Sequence, residues 1–191
     1  MKLGLALLRV IVGGLFVGHG LQKLAGWFGG HGLAKTGESF ESMGLRPGVV
    51  HAGAAGASEA VGGALLSAGL LTPVGSSLVS ATMITAIRKV HAPNGPWATK
   101  GGYEYNLVLL AAAFVLAELG PGAFSLDEAL GTERKGLGWA LAELALGALG
   151  SSAVLALAQR TPNPEYAGSE PTQEQDGDAA AQAPNGQPAR A

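Results

Sequence analysis

The 191-residue chain is 48% hydrophobic and only 14% charged, has a formal net charge of −2 and contains no cysteine. The missing cysteine excludes disulfides, thiolate nucleophiles and Cys-ligated zinc or iron–sulfur clusters. Lys and Arg sit inside apolar runs or at their ends rather than along a solvated face, so no nucleic-acid-binding surface is present in the pattern.

Leu3 to Ala25 is long enough to cross a hydrocarbon core of about 30 Å as a helix. Lys2 in front of it gives it the look of a secretory signal, but Arg9 interrupts the run and no A-x-A site follows, so a retained first helix is expected. The Gly-rich linker Gly26 to Gly48 carries Trp27, Phe28, Phe40 and Met43, which predicts a short interfacial helix around Thr36 to Met43. Val49 to Leu71 is a second span, with small residues every four positions (Ala52, Gly56, Ala60, Ala64, Ala68) that let another helix approach closely. Gly14 and Gly18 form the same pattern in the first span. Thr72-Pro73 leaves almost no loop before the third segment, Pro73 to Val90, so these two helices are expected to be antiparallel neighbours.

Tyr103 to Leu119 is the fourth segment, with Trp97, Tyr103 and Tyr105 placed where an aromatic belt would sit. Leu137 to Leu157 is a fifth, either a further span or, because Glu143 interrupts it, a surface helix. From residue 161 the chain holds one Arg and five acids among Pro, Gln, Gly and Ala, a composition that predicts a disordered acidic tail. The fold class is thus all-α: a polytopic membrane four-helix bundle over residues 1–131, an additional transmembrane or interfacial helix over 132–160, and the tail over 161–191. Alternate crossing and the Lys/Arg distribution place the first loop and the C-terminus in the cytoplasm.

Charge inside such spans is costly, roughly 2.5–3.5 kcal/mol per group even on lenient scales, and marks a polar site. In the first helix Arg9, His19 and Lys23 fall within an arc of roughly 80°. Glu59 lies deep in the second helix and must take a proton or pair with a cation, for which Arg9 is the expected partner. Arg88, Lys89, His91 and Glu104 are expected at the same membrane face as His19 and Lys23. Two imidazoles, several cations and a carboxylate suit a quinone headgroup, a proton relay or an anion. No HExxH or paired His spacing indicates a metal, and no G-x-S-x-G elbow indicates a hydrolase.

At these residues the chain resembles the DoxX family of small bacterial and archaeal membrane proteins. The resemblance runs through RVIVGGLFVGHGLQKL, FGG, F-x-x-M-G, the E-x-x-GG that starts at Glu59, M-x-x-A-I with a following His, GGYEYNLVL and GPGAFSLDEALG, about residues 3–131. It implies a four-helix membrane bundle associated with quinone-linked oxidoreductases and oxidative-stress complexes, with Arg9, His19, Lys23, Glu59, His91 and Glu104 as the characteristic polar residues. The expected function is a multi-pass plasma-membrane (bacterial or archaeal inner membrane) subunit or accessory of a quinone-linked oxidoreductase, with a soluble oxidoreductase or another membrane subunit as partner. Glu59 and His19 would handle protons, while Arg9, Lys23, His91 and Glu104 would hold the quinone or an anion. Two alternatives remain open: a scaffold without catalysis, and a carrier of protons or small solutes. The sequence does not decide whether the chain is itself an enzyme.

Overall fold

The computed structural model describes residues 2–161; the acidic tail expected over 161–191 lies, from residue 162 on, outside the described residues. Seven α-helices follow in order: α1 (Lys2–Ala25), α2 (Gly32–Ser42), α3 (Gly48–Ala68), α4 (Thr72–Ala86), α5 (Glu104–Leu119), α6 (Leu126–Leu130) and α7 (Leu137–Arg160), with no strand among the described residues. α1, α3, α4 and α5 form the bundle, and α7 packs on α4 and α5 as a fifth long helix. The interfacial helix of the first loop is α2, which starts four residues before its expected position and packs against α3. Its Glu41 carboxylate accepts the Gly48 amide and so caps the start of α3.

The α3–α4 turn is as tight as the sequence implies. Gly69 ends α3 at φ +64°, with its amide donating to Leu66 and that of Leu70 to Leu65, the paired bonds that close a helix C-terminus. Pro73 then sits in the first turn of α4, where a missing N–H costs nothing.

One face of α1, carrying Ala6, Arg9, Val12 and Phe16, is buried, while Leu3, Leu7, Val10, Ile11 and Leu15 on the other are each at least half exposed. α7 likewise turns Leu141, Leu146, Leu149 and Leu157 outward. An apolar outer surface over helices is what a bilayer requires, because lipid satisfies side chains but not free backbone groups. By length and composition α1, α3 and α7 can cross a membrane. This is a membrane protein.

α1 and α3 meet backbone to backbone. A Cβ added at Gly13 would lie 2.5 Å from the Gly63 carbonyl, one at Gly63 2.5 Å from the Gly13 carbonyl, and one at Gly20 2.5 Å from the Gly56 carbonyl. Gly14 and Gly18, the pair expected to form the contact, have nothing within 4 Å of such an atom. The close approach is thus made one residue earlier, by Gly13, and two residues later, by Gly20.

At the end of the bundle where α3 turns into α4, two buried ionic groups tie the chain down. The Arg9 guanidinium donates to the carbonyls of Ser67, Ala123 (2.9 Å) and Phe124 (2.8 Å). Asp127, fully buried, accepts the amides of Leu71 (3.1 Å) and Thr72 (3.2 Å) and the hydroxyls of Thr72 (3.1 Å) and Thr132 (3.0 Å). It therefore caps the N-terminus of α4 from the short helix α6, remote in sequence, where the helix dipole favours a negative charge. Between α4 and α7, the Ser80 hydroxyl donates to Glu143 Oε2 at 2.9 Å, and Gly147 lies directly on Ser80. Glu143 thus faces the bundle rather than an interfacial surface.

Two predictions follow from these contacts. Gly13→Val should destabilise the detergent-solubilised protein by about 1–3 kcal/mol through overpacking, whereas Gly14→Val, one residue away, should leave its melting temperature unchanged. Burial pushes the Asp127 carboxyl up, but the bonds from Thr72, Leu71 and Thr132 outweigh it and hold it below its ordinary value. A carboxyl lowered in the folded state contributes stability that is complete above its unfolded value of about 3.9 and fades as pH falls through the folded one. Thermal unfolding followed from neutral pH down to acid should show this loss in the native chain, and Asp127→Asn should start less stable and lose less.

Candidate functional site

The C-terminal end of α1, the N-terminal ends of α3 and α5 and the C-terminal end of α4 enclose a cavity of about 340 Å³. Phe16, Met83 and Leu109 give it apolar walls, and Phe40, Met43 and Leu45 from α2 and its following loop close one side. The polar groups that line it are His19 and Lys23 from α1, His51, Ser58 and Glu59 from α3, Thr82 and Thr85 from α4, Lys89 and His91 from the turn that follows α4, and Tyr105 and Asn106 from α5. Val154 of α7 contributes the last part of the wall.

Inside it, Lys23 Nζ donates to Glu59 Oε2 at 2.6 Å, with the Glu59 side chain 6% exposed and that of Lys23 24%. Glu59 therefore pairs with Lys23, not with Arg9. Arg9 lies at the opposite end of the bundle, bonded to backbone carbonyls, and does not line the cavity. Glu104 is in the first turn of α5 and is not part of the lining either. His19, Lys23, Glu59 and His91 all line the cavity.

Each imidazole is anchored. His19 Nδ1 contacts Gln22 Oε1 at 3.0 Å, His51 Nε2 contacts the Arg46 carbonyl at 3.0 Å, and His91 Nδ1 contacts the Gly101 carbonyl at 2.7 Å. α4 continues into a π-helical turn over Ile87–His91, a local widening that often accompanies functional sites. Lys89 and His91 line the cavity there, while Arg88 donates instead to the hydroxyls of Ser151 (3.3 Å) and Ser152 (3.0 Å) on α7. His51 and Asn106 were not singled out by sequence reasoning. The signal for His51 was its place eight residues before Glu59, close to two turns and so on the same face.

Beside the cavity is a second hollow of about 320 Å³, lined by Gln22, His31, Thr36 and Ser39 together with Lys23, which belongs to both. Among the described residues no group of three or more His, Cys, Asp or Glu is arranged to hold a metal ion.

The DoxX family model matches residues 4–92, and over 128 residues the chain is 35% identical to "Putative oxidoreductase CatD" of Bacillus subtilis (strain 168), covering 66% of this chain and 86% of that protein. The chain belongs to the DoxX family. No solved structure matches it. The DoxX match takes in all the cavity residues of α1, α2, α3 and α4, and leaves Tyr105, Asn106, Leu109 and Val154 beyond it.

The Lys23–Glu59 pair gives the site a direct test. Lys23→Met alone strands the buried Glu59 carboxylate without its cation, which costs roughly 3–5 kcal/mol, while Lys23→Met with Glu59→Gln removes both charges and should restore most of the loss. Melting temperatures of the two single variants and the double variant measure the coupling. Additive losses would show that the two groups do not support each other.

Proposed function

We propose that this DoxX protein is a multi-pass subunit or accessory of a quinone-linked oxidoreductase in the plasma membrane of a bacterium or archaeon, and that its cavity receives the ring of a quinone. The observation that carries this reading is the cavity itself: apolar walls with a polar cluster at one end of a helical bundle. Its volume is at the lower end of the roughly 300–1,000 Å³ usual for small-molecule sites, and a few placed polar groups in an apolar lining are what orient a ligand there. The position near one end of the bundle suits a ring that stays at headgroup depth while any prenyl tail remains in lipid. That the related protein bears the name of an oxidoreductase adds weight.

In this reading the quinone supplies the redox chemistry and the chain supplies binding and proton handling. Glu59 and Lys23 form a hydrogen-bonded pair across which a proton can be held, and His19 stands at the same lining with one ring nitrogen unengaged. His91 and Lys89 complete the polar end in place of Arg9 and Glu104. The Glu59 carboxylate is buried at this end, where its contact with Lys23 is stronger than in open water.

The full chain, purified in detergent, should release a prenylated quinone on solvent extraction, read by mass spectrometry. After delipidation, a short-chain quinone analogue should raise its melting temperature in a concentration-dependent way. Neither extractable quinone nor any thermal shift would end the proposal.

A further inference from the structure

The interface between α3 and α4 does not stay closed along its length. Near the turn the two helices touch: a Cβ added at Gly62 would lie 3.0 Å from Leu78 Cβ and 3.1 Å from the Gly75 carbonyl. Continued in antiparallel register from Gly62 opposite Leu78, the same two faces carry Ser58 opposite Thr82, Ala55 opposite Thr85 and Ala54 opposite Ala86. All six of these residues line the cavity instead, and their small side chains leave a slot between the helices. The Thr82 and Thr85 hydroxyls donate to the Val79 and Ala81 carbonyls of their own helix, both at 2.8 Å, and so need no partner in the slot. At its outer end Ala54 is exposed as well as lining the cavity. This residue shares a stripe of α3 with the outward-facing Val50 and Val61, about 9 Å along the axis from Gly48 and so inside the apolar span. The side toward α2, by contrast, is covered by Phe40, Met43 and Leu45.

We propose that the slot between α3 and α4 is a lateral opening to the membrane, through which the ligand enters from lipid and in which its single apolar chain, the isoprenoid tail of a quinone, stays threaded. The proposal rests on the ring-binding reading above and adds to it a route and a seat for the tail. A cavity of about 340 Å³ takes a substituted ring but not a ring together with a long chain, so the chain needs a way out. Lipid is as apolar as the slot, and the chain therefore gains little affinity by lying there. What the slot decides is whether a ring that carries a chain can seat at all. Its apolar mouth also selects the head. A charged phosphate passing Ala54 and Ala86 would be stripped of water without gaining a partner, a cost that a neutral ring avoids, and this favours a quinone over a phospholipid.

The test uses the delipidated full chain in detergent and two probes for equilibrium binding: decylubiquinone, and the same ring with a methyl group in place of the decyl chain. Ala54→Phe narrows the mouth from an exposed position, and its melting temperature verifies that it folds. It should weaken decylubiquinone by about tenfold and change the affinity of the methyl analogue by less than about twofold, because only the chain has to pass the mouth. Ala57→Phe, which is also exposed on α3 but outside the cavity lining, should change neither. Decylubiquinone affinity unmoved by Ala54→Phe, equal losses for both probes, or a loss that Ala57→Phe reproduces overturns the slot and leaves the ring-binding reading standing. A phospholipid that co-purifies with the native chain and is lost from Ala54→Phe, with no prenylated quinone lost, overturns the assignment of the slot to a quinone tail. Binding of neither probe to the native chain overturns both readings.

Discussion

The interior of this molecule is organised by the close antiparallel contact of α1 and α3, because the register of that contact decides what each buried charge meets. Gly13 lies against Gly63 and Gly20 against Gly56 and Ala60, so Arg9 falls beside the Gly69 turn and Lys23 beside Gly56. Without a hydrophobic drive between helices in lipid, association depends on such backbone approach and on satisfied polar groups. Here the two act together: the glycines fix the depth, and the charges have partners only at that depth. Sliding the helices past each other by one turn would overlap side chains and would also leave Arg9 and Glu59 unpaired in an apolar medium.

The two ends of the bundle consequently do different work. At one end Arg9 and Asp127 are spent on backbone: a cation on carbonyls around the end of α3 and the loop before α6, an anion on the first amides of α4. Both satisfy helix-terminal groups that would otherwise be unpaired. At the other end the charged and polar side chains face a cavity instead, and one cation, Lys89, has no partner among the described residues. Polar groups committed to the backbone hold the fold, and those turned toward empty space are available to a ligand.

Most of the architecture was legible because it is written in apolar length and in punctuation. Gly69 and Pro73 mark the tight turn, the Gly-rich first loop houses the short α2, and five apolar segments become the five long helices. The partner of Glu59 was not legible from the presence of charges alone. Antiparallel packing sets Glu59 near the level of His19, on the order of 15 Å along the helix axis from Arg9, so the nearest cation is Lys23. A signal for the register did exist. Gly13 and Gly20 are seven residues apart, as are Gly56 and Gly63, and two such pairs on antiparallel helices interlock in one register. Gly14 and Gly18 match the commoner four-residue spacing and mislead, since spacing alone does not say which stripe of α1 faces inward. Glu104 shares the site's membrane level, but level does not specify direction around the bundle axis.

The fifth helix bears on the site in a way that the DoxX match, ending at residue 92, does not reach. Arg88 and Lys89 are adjacent in sequence, yet one bonds to α7 and the other lines the cavity. The π-helical turn over Ile87–His91 alters the angular step between neighbouring side chains at this point, and the Ser151 and Ser152 hydroxyls give the Arg88 guanidinium somewhere to go. Were Arg88 turned inward with Lys89, two like charges would crowd the polar end of a small apolar cavity. α7 therefore draws one cation away, leaves the other facing the ligand space, and closes the wall with Val154. Glu143 against Ser80 and Gly147 against the α4 backbone hold α7 at the distance this requires, which ties a helix outside the four-helix core to the charge balance of the cavity within it.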